Sequence, residues 1–171
     1  MEHLKEKIRN IPDFPKKGIL FRDITTLIGD KEAFREVIDV LANRLNDKKI
    51  DVVACIESRG FILGGALAYR IGASLVPIRK KGKLPSETYS ASYDLEYGKD
   101  TLEIHCDAFE GGANVLILDD LLATGGTASA SASLVEQLGG KVLEITFLIE
   151  LTDLKGREKL SGYPVFSLIK Y

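Results

Sequence analysis

The sequence has few of the residues that build disulfide frameworks or metal clusters. It contains two cysteines, Cys55 and Cys106, and two histidines, His3 and His105. Two cysteines in apolar, strand-like runs do not form the framework of a small secreted domain, so a reducing, cytoplasmic compartment is expected. These four residues also do not supply a metal-ligand cluster of the zinc type.

An excess of charge of one sign and long apolar runs are lacking as well. The 171 residues carry 23 Lys and Arg against 25 Asp and Glu, which gives a net charge of −2. Neither a basic stripe nor an acidic tail indicates a nucleic-acid partner. The charged, amphipathic segment 1–10 does not resemble a signal peptide, and no apolar run is long enough to cross a membrane. We therefore expect no nucleic acid and no membrane as partner.

The apolar pattern predicts an α/β fold in one domain, residues 1–171. Short apolar runs predict strands at 52–56, 75–78, 102–106, 115–118, 142–149 and 165–169. Helical spacing predicts helices at 1–10, 30–45 (with Asp30 as its N-cap), 60–72, 126–138 and 154–160. Strands that alternate with helices are typical of a mostly parallel, twisted sheet flanked by helices.

Three unusual segments follow predicted strands: 57–60, 79–98 and 119–127. Ligands of parallel sheets bind beyond the carboxyl ends of the strands, so we expect these segments to lie together. The segment 79–98 is polar, basic at its start and about twenty residues long. A loop of that length inside a compact domain is uncommon unless it has a function.

Residues 115–127, VLILDDLLATGGT, predict a phosphate site. Glycines let the backbone approach a ligand closely, and the first N–H groups of a helix can point at an anion. The loop lacks the Gly-Lys-Ser/Thr ending of nucleoside-triphosphatase loops, so one terminal phosphate is expected. Thr-Gly-Gly-Thr alone would indicate only a turn. The order strand, Asp119-Asp120, loop and helix favours the phosphate site.

The same run resembles the signature that binds phosphoribosyl pyrophosphate (PRPP) in the type I phosphoribosyltransferases, and its paired acids and ATGGT ending resemble the adenine-specific branch. Further stretches agree over nearly the whole chain: PDFPKKGILFRDITTL at 12–27, ESRGF at 57–61, IRKKGKLP at 78–85, SYDLEYG at 92–98 and LKGREKL at 154–160. The resemblance implies a pentosyltransferase of purine salvage that converts adenine and PRPP to AMP and pyrophosphate. It also implies a cytoplasmic homodimer and Mg²⁺ held mainly by substrate and water, with no direct protein ligand.

The resemblance assigns a role to each part of the PRPP site. The residues expected at the 5-phosphate are Ala123, Thr124, Gly125, Gly126 and Thr127, and those at the ribose hydroxyls are Asp119 and Asp120. The residues expected at pyrophosphate are Glu57, Ser58, Arg59, Arg79, Lys80 and Lys83. A non-proline cis peptide is expected between Glu57 and Ser58. Without the resemblance, 57–60 could equally be a strand-to-helix turn with Ser58 as N-cap, and 79–98 a basic solvated loop.

The remaining roles concern the lid and the base. Residues 79–98 resemble a mobile lid, which would exclude water from the reacting carbon as it becomes cationic. Glu96 is expected to handle the purine N9 proton, and Tyr97 to orient pyrophosphate or close over the site. Within the base-recognition region 1–30, Phe21 is expected to stack on the purine, while backbone groups of Leu20 and Arg22 read its edge. From the residues alone, Leu20 and Phe21 could be core, and Glu96-Tyr97 a strand surface.

Two alternatives stay open at this point. One is a related transferase acting on hypoxanthine, guanine or xanthine, which would differ only at the base pocket. The other is a regulator that binds PRPP without turnover and contacts nucleic acid. The net charge of −2 and the intact lid sequence do not favour the regulator.

Overall fold

The computed structural model describes residues 1–94 and 98–171. The chain divides into two compact units, residues 1–44 and 45–171, and each is described by itself.

The first unit combines short helices with a small antiparallel sheet. Its elements are α1 Glu2–Glu6, β1 Arg9–Ile11, β2 Phe21–Asp23, α2 Thr25–Gly29 and α3 Lys31–Arg44. The carboxylate of Asp30 accepts hydrogen bonds from the backbone N–H groups of Glu32 and Ala33, which confirms the predicted N-cap of α3. The prediction of one helix over 1–10 is wrong, since the chain turns into β1 at Arg9 and pairs with β2.

The second unit contains a seven-stranded sheet. Its elements are β3 Val52–Ile56, α4 Gly60–Ile71, β4 Ser74–Lys80, β5 Thr88–Asp94, β6 Lys99–His105, β7 Asn114–Leu122, α5 Gly126–Gln137, β8 Lys141–Glu150 and β9 Val165–Lys170. The strand order is β5-β6-β4-β3-β7-β8-β9. The pairs between β4, β3, β7, β8 and β9 are parallel, and only those of β6 with β4 and β5 are antiparallel. The predicted mostly parallel α/β sheet is confirmed.

Helices cover both faces of this sheet, which is why β3 is apolar throughout. Alternate residues of a strand point to opposite faces. Ala54 and Ile56 belong to the same buried cluster as Ala132 of α5. Cys55 faces the other way and lies against Gly64 of α4.

The segment 79–98, expected as a loop, contains a strand. β5 pairs with β6 in antiparallel register, from Thr88 opposite His105 to Asp94 opposite Lys99. Ala91 and Tyr93 pack against the buried cluster, while Ser92 between them and Asp94 after them are exposed. This one-sided pattern of small and polar residues carries little hydrophobic signal, so the sequence alone did not predict the strand.

The helix expected at 154–160 is replaced by two short 3₁₀ turns, Thr152–Leu154 and Gly156–Leu160. Lys155 between them has φ +52°. A left-handed residue followed by glycine interrupts the α-helical hydrogen-bond series. In the described ranges, no helix has the length and apolar character required to span a membrane.

Candidate active site

The parallel register brings three strand ends to one edge of the sheet. Ile56 at the end of β3 lies opposite Ile78 of β4, and Cys55 lies opposite Leu118 of β7. The segments that follow these strands therefore meet, as expected from the sequence. They surround a cavity of about 460 Å³ lined by Glu57, Ser58, Arg59, Lys80, Tyr93, Leu102, Asp119, Asp120, Leu121 and Thr127.

The predicted phosphate loop connects β7 to α5. Gly125 has φ +80° and immediately precedes the first turn of α5, a backbone conformation that side chains disfavour. The first N–H groups of a helix have no intrahelical partner, so a helix start of this kind can accept an anion. A depression of about 70 Å³ beside the main cavity is lined by Ala123, Thr124, Gly125 and Thr127 among others.

Asp119 and Asp120 lie within the last part of β7 and differ in their contacts. A carboxylate oxygen of Asp119 accepts the backbone N–H of Asp120 at 2.8 Å. Asp120 forms an ion pair with Arg59, with 2.8 Å between Oδ2 and Nε. Burial, together with the neighbouring charge of Asp120, raises the pKa of Asp119 well above its ordinary value. At Asp120 burial raises the pKa, and the Arg59 guanidinium opposes that rise.

The segment between β3 and α4 is tightly fitted against Asp119. The peptide bond between Glu57 and Ser58 is cis, at the position expected from the sequence. A Cβ at Gly60, the first residue of α4, would lie 3.0 Å from Asp119 Oδ1 and 3.0 Å from the carbonyl oxygen of Leu118. The glycine thus lets the start of α4 approach the end of β7.

Glu57 holds basic residues of segment 79–98 at the carboxyl edge of the sheet. Its carboxylate accepts hydrogen bonds from Lys83 Nζ at 2.5 Å, from the backbone N–H of Lys80 at 3.0 Å and from Arg79 Nε at 3.3 Å. Burial disfavours the charged carboxylate, yet these donors lower the pKa of Glu57 to about 2. Glu57 is therefore an anion that positions cations, a relationship that the sequence did not predict.

Two further residues join the site through the β5–β6 hairpin. Asp100 accepts hydrogen bonds from Lys80 Nζ at 2.7 Å and from the Tyr93 hydroxyl at 3.1 Å. Tyr93 also shares a hydrogen bond with Thr127, and burial raises the pKa of its phenol. Sequence reasoning missed both residues. The available signal was SYDLEYG, which contains Tyr93, but the pairing of β5 with β6 was needed to bring Asp100 beside it.

The residues expected at the base lie in the unit of residues 1–44. Leu20 is 46 % exposed and directly precedes β2. The ring of Phe21 meets that of Phe14 edge-on, with 5.1 Å between centroids and 74° between planes. Arg22 donates a hydrogen bond from Nη1 to Asn10 at 2.5 Å. Exposure of Leu20 argues against the alternative that it is a core residue.

Glu96 and Tyr97 lie outside the described residues. Among the residues that are described, no group of three or more His, Cys, Asp or Glu side chains is arranged to hold a metal ion.

The fold agrees with comparisons to known proteins. A family model described as a phosphoribosyl transferase domain matches residues 25–170. Adenine phosphoribosyltransferase of Alkaliphilus metalliredigens is 61 % identical over 169 residues, covering 99 % of each chain. The chain therefore belongs to the phosphoribosyltransferases and, within them, to the adenine phosphoribosyltransferase family.

Solved structures of that family superpose closely. The crystal structure of the Thermoanaerobacter pseudethanolicus enzyme has a TM-score of 0.97 at 58 % identity, covering 99 % of each chain. The Saccharomyces cerevisiae enzyme, complexed with an imino-altritol bisphosphate and adenine, has a TM-score of 0.93 at 44 % identity. It covers 98 % of this chain and 97 % of its own.

Proposed function

We propose that the protein transfers the ribose 5-phosphate group of PRPP to adenine, giving AMP and pyrophosphate, a reaction of purine salvage. The observation that carries this proposal is one cavity at the edge of the sheet. Its lining combines the carboxylates of Asp119 and Asp120, the start of α5 at Thr127, and the cations Arg59 and Lys80. The adenine in the Saccharomyces cerevisiae complex supports the choice of base.

The 5-phosphate would bind at the loop of Ala123, Thr124, Gly125, Gly126 and Thr127. Backbone N–H groups and threonine hydroxyls there would donate hydrogen bonds to its oxygens. Asp119 and Asp120 would accept hydrogen bonds from the ribose 2- and 3-hydroxyls. The contact between Asp120 and Arg59 keeps one of these carboxylates in place before substrate binds.

Pyrophosphate would bind across the cavity, at the backbone of Glu57-Ser58 and at the charges of Arg59 and Lys80. Arg79 and Lys83 contact Glu57 in this structure, which keeps them at the same edge of the sheet. Fixed positive charge at the leaving group stabilises the negative charge that develops as the bond to the ribose carbon breaks.

Residues 79–98 would serve as the lid, which includes strand β5. Closure would exclude water from the cationic reacting carbon, so that adenine is the nucleophile. Glu96 would accept the N9 proton of adenine, and Tyr97 would orient pyrophosphate. Leu20, Phe21 and Arg22 would bind the base, where the edge-on contact with Phe14 fixes the plane of the Phe21 ring.

Mg²⁺ would be the cofactor, and the donor set fits an ion carried by the substrate. Asp119 and Asp120 are adjacent carboxylates in the cavity lining, and Asp120 forms an ion pair with Arg59. They can contact water of a hydrated ion but do not enclose it. When bound, Mg²⁺ would neutralise charge on the pyrophosphate oxygens.

A homodimer in the cytoplasm completes the proposal. Large apolar side chains remain exposed on the second unit, with Tyr69 of α4 89 % exposed and Leu75 of β4 48 % exposed. Exposed apolar surface can contribute to protein interfaces, so these side chains are candidates for the dimer contact. Cys55 and Cys106 are both free thiols, which suits a reducing compartment.

Product formation with Mg²⁺, PRPP and one base at a time tests the proposal. Adenine should yield AMP, while hypoxanthine, guanine and xanthine should yield at most traces. Product from another purine instead would retain the PRPP site and overturn the choice of base. Binding of PRPP without product from any base would favour the non-catalytic regulator.

A further inference from the structure

The second 3₁₀ turn after β8, Gly156–Leu160, contacts the proposed phosphate loop backbone to backbone. A Cβ at Gly125 would overlap the carbonyl oxygen of Gly156, and a Cβ at Gly156 would overlap the carbonyl oxygen of Ala123. Gly156 is buried, and its added Cβ would also lie 2.8 Å from Leu122 Cδ1. The position of residues 123–125 therefore depends on where Gly156 lies.

Arg157, the next residue, ties this turn to two strands of the sheet. Its Nε and Nη2 donate to the two carboxylate oxygens of Glu150 at 2.7 and 2.8 Å. Nη1 donates to the carbonyl oxygen of Val165 at 2.9 Å, and Nη2 also reaches Ser167 Oγ at 3.3 Å. Glu150 ends β8 and Val165 begins β9, so one side chain spans both strands.

The geometry of this contact is specific to arginine. A planar guanidinium can bind both oxygens of a carboxylate while a third nitrogen serves another acceptor, whereas a lysine ammonium cannot. Glu150 is 5 % exposed, and the hydrogen bond from Arg157 lowers its pKa, so both groups stay charged. Such a contact restrains the turn in one position.

We infer that Arg157 is a positioning residue for the phosphate loop: it holds Gly156 against Ala123 and Gly125 and thereby sets the loop that receives the 5-phosphate. This inference rests on the proposed role of that loop. Hydrogen bonds from backbone N–H groups weaken steeply as angle and distance depart from the optimum. A small displacement of the loop should therefore reduce affinity for a phosphate monoester without touching the pyrophosphate side of the cavity.

The test compares two anions that use different parts of the site. Calorimetric titration of the full chain with ribose 5-phosphate and, separately, with pyrophosphate gives the two affinities. In Arg157→Met the dissociation constant for ribose 5-phosphate should rise about tenfold, while that for pyrophosphate should change by less than about twofold. Steady-state kinetics should show a higher KM for PRPP and an unchanged KM for adenine.

Two companion variants keep the test decisive. Arg157→Lys retains the charge but not the two-point contact with the Glu150 carboxylate. It should therefore fold and show a smaller loss of affinity, still confined to ribose 5-phosphate. Lys159→Met removes a charge from the same 3₁₀ turn at an exposed position and should leave both dissociation constants unchanged. If Arg157→Met or Arg157→Lys weakens the binding of both anions equally, or weakens the binding of neither, the positioning role is wrong. If the unaltered protein does not bind ribose 5-phosphate, the proposed phosphate loop is itself wrong, and the inference falls with it.

Discussion

Arg59 and Asp120 join the segment after β3 to the end of β7 through an ion pair of 2.8 Å. The Asp120 side chain is 7 % exposed, so its charge depends on this partner, whereas Arg59 is 36 % exposed. The pair thus links the proposed pyrophosphate and ribose subsites directly. Substituting either residue should disturb both.

We expect Arg59→Gln to lower the free energy of unfolding by about 1–2 kcal/mol, because it leaves Asp120 buried beside an uncharged group while solvent screens part of the loss. Urea unfolding of Arg59→Gln, Asp120→Asn and the double variant measures the coupling between them. Lys99→Gln is the control, since its ion pair with Asp94 joins two largely exposed side chains at 3.9 Å and should be worth less than about 0.5 kcal/mol. Additive effects of the two substitutions would contradict the coupling.

Gly64→Ala should destabilise the second unit by about 2 kcal/mol, because the new Cβ would overlap Cys55 Sγ and lie 3.0 Å from Cys55 Cβ. Cys55→Ala in the same chain should restore part of the loss by removing the sulfur. Gly65→Ala, one residue along α4, meets nothing within 4 Å and should be neutral or slightly stabilising. Thermal unfolding is measured for the unaltered protein, Gly64→Ala, Gly64→Ala with Cys55→Ala, and Gly65→Ala. The comparison distinguishes steric overlap with Cys55 from a general effect of alanine in this helix.

Lys48→Met should cost more stability than Glu144→Gln. Lys48 forms an ion pair with Glu144, whose side chain is 2 % exposed, while Lys48 itself is 34 % exposed. Methionine leaves a buried carboxylate without its cation, at a cost of about 2–3 kcal/mol. Glutamine can keep the hydrogen bond from Thr146, and the freed lysine can reach water. If the two variants lose equal free energy of unfolding in urea, the burial of Glu144 does not determine the contribution of this ion pair to stability.

Glu57 should make stability depend on pH in the acid range. Its folded pKa of about 2 lies below its ordinary value of 4.5, so its contribution is complete above about pH 4.5 and is lost as pH falls toward 2. The contribution should be about 1–2 kcal/mol, since Lys83 is half exposed and solvent screens it. The difference in unfolding free energy between the unaltered protein and Glu57→Gln should shrink from pH 6 to pH 3. A difference that stays constant with pH would exclude this role of the Glu57 charge.

Tyr93→Phe should raise the KM for PRPP about fivefold, the worth of roughly one hydrogen bond, and leave the KM for adenine unchanged. The hydroxyl contacts Asp100 and Thr127, and so connects the cation Lys80 to the start of α5. Tyr89→Phe on the same strand is the matched control, because Tyr89 is 41 % exposed and outside the cavity lining. An equal change in the KM for PRPP in both variants would show that the Tyr93 hydroxyl has no specific role in binding PRPP.

The sequence by itself determined the parts of the structure that depend on neighbours along the chain. The apolar run 52–56 gave β3 with its predicted bounds, Gly72 ends the helix that precedes it, and Asp30 caps α3. The glycine turn between β7 and α5 was also predicted, because glycines between a strand and a helix are a local pattern. The parallel order of β3, β4 and β7 followed from the alternation of strands and helices.

Tertiary structure decided the contacts between residues far apart in sequence. The pairing of Glu57 with Lys83, of Asp100 with Lys80, and of Gly125 with Gly156 follows from sheet register and chain path. The hairpin strand β5 escaped prediction because small and polar residues form it, and the 3₁₀ turns replaced a helix because Lys155 and Gly156 interrupt it. Local periodicity reports which side of an element is apolar. The register of the strands determines which charged residues contact one another across the sheet.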